Sequence, residues 1–308
     1  MTVFTWLSLL AALIVADWAI RVLRNRARAS AAGRRFLRHP TATWGIGILA
    51  FFAVIALCAP IVAPFPPNTP LEPVHLKNHA PSWSFLLGTD LYSRDVWSRL
   101  VYGARISLAV GALGALVAVT IGTLVGAVAG YYRRWVDAVL MRCVDVGLAL
   151  PRIFILLMAI ALWEGLPFPV IVLVIGLTSW FGTSRLVRAE VLALRDRDFV
   201  SAARAVGAGS GRVIFRHVLP NAAAPIIVSA ALGIGNVLLL EAGLSFLGIG
   251  LAPPDPSWGN MIADGAATLV SAPWATLFPG LAISVVVMSL NAVADALRDA
   301  LDPRWETT

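Results

Sequence analysis

The sequence predicts an all-α membrane protein, on the strength of its composition and the spacing of its apolar runs. Its 308 residues are 59% apolar and only 13% charged, whereas soluble domains are about a quarter charged. The apolar residues gather in runs at about 44–65, 105–130, 145–163, 166–186, 221–247 and 274–296. A helix needs about 20 such residues to cross the hydrocarbon core. A seventh, shorter run covers 3–20. The expected architecture is six core helices plus an extra N-terminal helix.

The first run, Val3 to Ala16, precedes Asp17 and a block of arginines. A signal peptide has the opposite order, with positive charge before the apolar core and a small-residue cleavage site after it. The run therefore reads as a span, with an in-plane amphipathic helix or a misplaced translation start as alternatives. Residues 1–43 form a hydrophobic helix and an Arg-rich linker, and 44–308 form one membrane domain. Along 105–130, Gly122, Gly126 and Gly130 recur every fourth residue, a small-residue face that lets helices approach closely. The 145–163 run is the weakest. Pro151 and Arg152 lie near its inner end, and only Ile153 to Trp163 is uninterrupted.

Arginine placement sets the orientation. Segment 21–43 carries Arg21, Arg24, Arg26, Arg28, Arg34, Arg35 and Arg38 and no acid. Segment 131–144 carries Arg133, Arg134 and Arg142, and 185–220 carries seven more arginines. These segments and the tail after 297 are expected in the cytoplasm. Connection 248–273 has Asp255 and Asp264 and no basic residue. Loop 66–104 balances Arg94 and Arg99 with Asp90 and Asp95. Both belong outside.

The net charge of +7 is spent on these short loops, so no nucleic-acid partner is implied. Cys58 and Cys143 are isolated, without a CxxC pattern, which argues against a disulfide or a metal site. The sole lysine is Lys77, in Val-His-Leu-Lys-Asn. A P-loop requires Gly-Lys-Ser/Thr, the lysine reaching the terminal phosphates, so this chain contains none. No nucleophile with a plausible base occurs either, and the chain is not read as an enzyme or as holding a cofactor.

One polar segment between apolar runs has an unusual pattern. Ser201-Ala202-Ala203-Arg204-Ala205-Val206-Gly207 is followed nine residues later by His217-Val218-Leu219-Pro220. Asp198 is placed to cap a helix there, with Ser201 three residues on where a capping box would use Glu. The alanines leave a smooth face, Gly207 and Gly209 permit a left-handed turn, and Val213, Ile214, Val218 and Leu219 form an apolar stripe. This spacing resembles the cytoplasmic-loop signature of ABC importer permeases, with Ser201 standing where that pattern has Glu and His217 where it has Ile. His at the latter position is usual in the peptide and nickel branch.

Three further stretches resemble the same branch. They are Leu87-Gly88-Thr89-Asp90 through Arg94-Asp95-Val96 to Leu108, Leu244-Ser245-Phe246-Leu247-Gly248 with Pro253 to Met261, and Leu297 to Arg304. Ser93 replaces a glycine of the family pattern. The resemblance covers about 34–305 and points to the second permease subunit of dipeptide, oligopeptide or nickel importers. It implies a type I importer transmembrane domain in the cytoplasmic (inner) membrane, paired with a homologous permease. It also implies two ATPase subunits docked on Ser201, Ala202, Ala203, Gly207, His217, Leu219 and Pro220, and an extracytoplasmic substrate-binding protein.

Glu241 follows about 20 uncharged residues and sits at membrane depth, where an ionisable group is a site hypothesis by default. Its candidate roles are a pathway or gate residue, or a carboxylate hydrogen-bonded to a neighbouring helix. Glu72, His75 and His79 have weak metal-like spacing, but Pro73 and Pro81 make the segment a loop, and no metal is expected. Asp137, Arg142 and Asp145 read as a helix-packing or solvated set. A stand-alone secondary transporter would want more mid-span charge than this chain has. A transport-inactive scaffold is the other rival.

Overall fold

The computed structural model describes residues 31–72, 75–161, 167–250 and 255–301, with a few isolated positions between 13 and 25. The run at 3–20 lies largely outside the described residues, as do Pro253, Pro254 and the end of the C-terminal signature. Among the described residues the chain is helical, without strands. Among these residues, four helices are long and apolar enough to cross a membrane, and a bent pair is long enough for a fifth crossing if it forms one span. Large apolar side chains such as Trp44, Trp135 and Met158 stand exposed on helix exteriors, as lipid-facing residues do.

Helix α1 (Ala31–Phe36) leads into α2 (Pro40–Leu57). Pro40 opens α2 at a position whose N–H needs no helical partner. The helix ends at Cys58, where Pro60 starts a separate turn, α3 (Ala59–Val62). α2 lies against α14 (Trp274–Leu301) so closely that a Cβ on Gly45 would come 2.9 Å from the Ser289 carbonyl.

Helix α4 (Val96–Tyr132) is 37 residues long, about 55 Å at 1.5 Å per residue. It begins nine residues before the apolar run because Asp95 caps it, accepting from the Ser98 N–H at 2.8 Å and the Ser98 hydroxyl at 2.7 Å. The outer segment and the span are thus one helix. Its far end reverses through Arg133 and Arg134, both at positive φ.

The run at 145–163 does not form one span. Leu150 is extended, as a residue before proline prefers, so α5 (Arg134–Ala149) stops there and α6 (Arg152–Ala161) starts afresh. The next run also breaks. α7 (Phe168–Ser179) and α8 (Phe181–Leu194) meet at Trp180 with a 46° bend, and α8 continues well into the segment read as a cytoplasmic loop.

The glycine face of α4 packs on α8. A Cβ on Gly122 would lie 2.9 Å from the Trp180 carbonyl, one on Gly126 would collide with the Ser184 carbonyl, and one on Gly130 would lie 2.8 Å from the Arg188 carbonyl. The two backbones therefore run against each other over about two turns. Ion pairs fasten α5 to the same helix. Arg188 grips Asp137 through two nitrogens, and Arg185 reaches Asp145. Asp137 and Asp145 are thus helix-packing groups.

After the cytoplasmic-loop segment, α12 (Ala223–Phe246) returns through the bundle. A nine-residue helix, α13 (Trp258–Ala266), then wedges against α4, α12 and α14 before α14 closes the domain. This helix lies inside the connection 248–273. Ser257 and Asn260 form its capping box.

Replacing Gly126 with Val should push α4 off α8 and destabilise the detergent-solubilised chain by about 1–3 kcal/mol, the usual range for overpacking. Gly182→Ala, where a Cβ meets nothing within 4 Å, should leave the melting temperature unchanged or raise it slightly, because alanine favours the helix. A thermal melt of both variants checks this.

Candidate functional site

The segment with the alanine–glycine pattern folds as a compact knuckle. Helix α9 (Asp198–Ala205) starts one residue earlier than the sequence suggests. Arg197 is its N-cap, extended at φ −76°, and Asp198 is its first helical residue without a side-chain cap. Asp198 instead places a negative charge in the first turn, where the helix dipole favours it. Ser201 therefore stands a full turn in, on the exposed face, and no capping box depends on it.

The helix ends in a Schellman motif. The Ala208 N–H donates to the Ala203 carbonyl at 3.0 Å and the Gly207 N–H to the Arg204 carbonyl at 2.9 Å. Gly207 sits at φ +84°, a conformation that L side chains adopt only with strain. Gly209 does not share it, being extended at φ −67° as the cap of α10 (Ser210–Val213).

The chain then makes a π turn, Ile214–Val218, before α11 (Leu219–Asn221). Pro220 has no N–H and its ring displaces the carbonyl four residues back. The Leu219 N–H accordingly reaches the Ile214 carbonyl, five residues away.

The knuckle has its own core. Val200, Ala203, Val213, Ile214 and Val218 are buried and pack with Tyr131, Val187 and Val191 from α4 and α8. Arg204 stacks over the Tyr131 ring at 5.1 Å, and Arg195 donates to the Tyr131 carbonyl.

Of the residues singled out from sequence, Ser201, Ala202, Gly207 and Pro220 face outward. His217 and Leu219 are half-buried. Ala203 faces inward at 9% exposure and belongs to the core. Sequence reasoning missed Val206, an apolar side chain 88% exposed at the tip, and Phe215, 60% exposed. Their signal was available as apolar residues interrupting polar helix faces.

At the opposite end, Glu241 lines no surface of the chain and is fully buried. Its Oε1 accepts from the Ser257 hydroxyl at 2.8 Å and the Ser245 hydroxyl at 2.9 Å. It thereby holds the start of α13 to α12. Trp258, also fully buried, donates its backbone N–H to Ser107 and its indole N–H to the Leu100 carbonyl, both at 3.0 Å.

Beside it lies a charge cluster. Arg99 meets Asp90 at 2.6 Å and Asp264 at 3.0 Å, while Arg94 meets each of those carboxylates at 2.7 Å. Asp264 was expected only as a loop charge, and Asp95 caps α4 instead of pairing with either arginine. Ser93, in place of the family glycine, holds a positive φ of 58°, which explains why glycine suits that turn. Glu72, His75 and His79 do not converge into a metal cluster among the described residues.

Between these ends, α4, α8 and α12 enclose an open groove of about 700 Å³. Ser179, Thr183, Ser229 and Asn236 line its inner length, Arg152 projects into it, and Glu190 and Arg298 stand at its basic end.

Residues 122–307 match the family of binding-protein-dependent transport system inner membrane components. The chain belongs to that family. Residues 29–81 match the N-terminal transmembrane domain of oligopeptide transport permease C. The permease is 43% identical over 278 residues to a Brucella suis protein provisionally named a peptide permease, covering 89% of this chain and 91% of that one. It is 40% identical over 279 residues to the dipeptide transport system permease protein DppC of Alkalihalophilus pseudofirmus, covering 90% of each. The permease is thus a transmembrane ABC importer subunit, similar to peptide and dipeptide permeases.

Substituting Leu for Glu241 in the permease leaves two buried serine hydroxyls without their acceptor. The expected cost is about 1–3 kcal/mol for a lost buried partner. Glu241→Gln keeps an acceptor oxygen and should cost less. Melting of the two purified variants measures the difference.

Proposed function

We propose that this permease forms half of the translocation pathway of an ATP-driven importer of di- and oligopeptides, paired with a homologous permease. Two ATPase subunits dock on the knuckle at 198–220, and an extracytoplasmic binding protein delivers cargo to the outer loops. The C-terminus is cytoplasmic. ATP is hydrolysed by the partners, since Lys77, the only lysine, lies outside any P-loop pattern. Glu241 acts as a structural clasp for α13.

The observation that carries this reading is the knuckle's combination of rigidity and exposure. A closed core and a Schellman turn fix its shape, while Ala202, Val206 and Gly207 remain outward. An exposed apolar tip on a rigid mount suits capture by a partner's cleft. Its cation–π contact with Tyr131 and the glycine seam of α4 join it to the membrane helices. Closure of the ATPases would then move the spans as a body and switch the side on which the pathway opens. Peptide cargo is favoured by the names of the relatives; nickel or another small solute is the alternative within the same group.

The test uses the complex purified from its native membrane. A second permease and two ATPase chains should co-purify with the wild-type chain. Gly207→Asp should abolish uptake while leaving membrane insertion intact. Val206→Asp changes only an exposed side chain and should lower ATPase retention on purification by about tenfold or more, the scale of a lost hot spot. Full uptake by both variants would exclude the knuckle as the docking site.

A further inference from the structure

Arg152 is the one charged side chain in the groove between its basic end and its outer wall. Its Nη2 donates to the Ser179 hydroxyl and to the Ile175 carbonyl at 3.4 Å. These partners are neutral. Its Nε is buried and has no partner among the described residues, although a guanidinium offers five N–H donors in a planar fork. The walls contributed by α4 and α12 carry no acidic side chain, and the groove's only carboxylate is Glu190. Glu190 lies eleven residues beyond Ser179 in sequence, about 16 Å along a helix at 1.5 Å per residue.

The depth of this charge follows from the helices. Thr183 meets Ser229 at 3.3 Å, and Ser229 is six residues into α12, about 9 Å from its start. Ser179 lies one turn beyond Thr183, which puts Arg152 within the length of the apolar helix α12, about 15 Å from its start. A lone cation at that depth is costly and marks a pathway or a pairing site. Its charge calls for a counter-charge that none of the described residues supplies.

We propose that Arg152 is a carboxylate-recognition position, its guanidinium receiving an acidic group of the cargo as it passes along the groove. This rests on the importer reading above. Ser179 holds the guanidinium through Nη2 and Nε is shut in, so the remaining N–H groups of the fork are the donors left for a carboxylate, a group that arginine binds through paired donors. Thr183 from α8 and Ser229 and Asn236 from α12 supply neutral hydrogen-bonding groups to the same groove, suited to peptide amides. A divalent cation would be repelled at this point, so the site selects within the group for carboxylate-bearing solutes against metal-ion cargo.

The experiment uses the whole importer reconstituted in liposomes with its binding protein, comparing wild type, Arg152→Gln and Arg152→Lys. Alanyl-alanine and its C-terminal amide are the probes. Arg152→Gln should retain the second permease and the ATPase activity stimulated by loaded binding protein. It should lose alanyl-alanine uptake by about tenfold or more, the effect of one charged contact on rate, and leave amide uptake at the wild-type level. Arg152→Lys should recover part of the lost uptake. Unchanged alanyl-alanine uptake in Arg152→Gln would overturn the proposal, as would equal proportional losses for both peptides or equal losses in both variants. Loss of the second permease on purification would overturn it in favour of an ion pair between subunits. A wild-type complex that takes up no peptide, with or without ATP, would instead refute the importer reading itself.

Discussion

The contact on which the rest of the structure depends is the seam between Val96–Tyr132 and Phe181–Leu194. In lipid there is little hydrophobic drive between helices, so association rests on close van der Waals packing. Glycines at 122, 126 and 130 let one backbone lie directly on the carbonyls of the other. The longest helix of the chain is thereby fixed along its inner half. Ala223–Phe246 and Phe168–Ser179 pack along its middle, and polar groups fasten its ends, Asp95 and Arg99 at one and Tyr131 at the other.

Polar groups follow a single rule along this axis. The buried charged side chains at its ends each hold at least one hydrogen-bonding partner, because leaving such a group unpaired costs more than the pairing gains. Asp90, Arg94, Arg99 and Asp264 form a closed set that ties the outer loop to Trp258–Ala266. Glu241 joins that helix to its neighbour through two serines. Asp137 and Asp145 bind the second inner helix to the seam. Arg152, which meets only neutral groups among the described residues, stands out against this pattern.

Much of this was legible in the sequence because lipid imposes strong periodicity and length rules. The apolar runs located the spans, and the four-residue glycine spacing identified the seam. The knuckle's position and apolar stripe followed from its pattern. What escaped depended on contacts distant in sequence or on local backbone choice. Pre-proline Leu150 split a run that hydropathy joins. Asp95 extended a helix nine residues beyond its apolar part, since capping outweighs composition at an end. Asp198 was one residue off as a cap, within the ordinary slack of helix boundaries. The pairing of Asp264 with Arg94 and Arg99 spans more than 160 residues and leaves no local trace. Ala203 faces inward because the Schellman turn closes over it, which an alanine-rich pattern does not reveal.

The bend at Trp180 gives the segment from Phe168 to Leu194 the form of a crankshaft. Its inner arm is clamped to the glycine seam and shares a core with the knuckle, while its outer arm packs in a separate cluster around Ile171 and Ile175. In a shaft cranked by 46°, a rotation about the inner axis swings the outer arm around the surface of a cone. Ser179 sits at the elbow. A small twist applied at the loop would therefore arrive at the groove as a sideways sweep of the residue that holds Arg152.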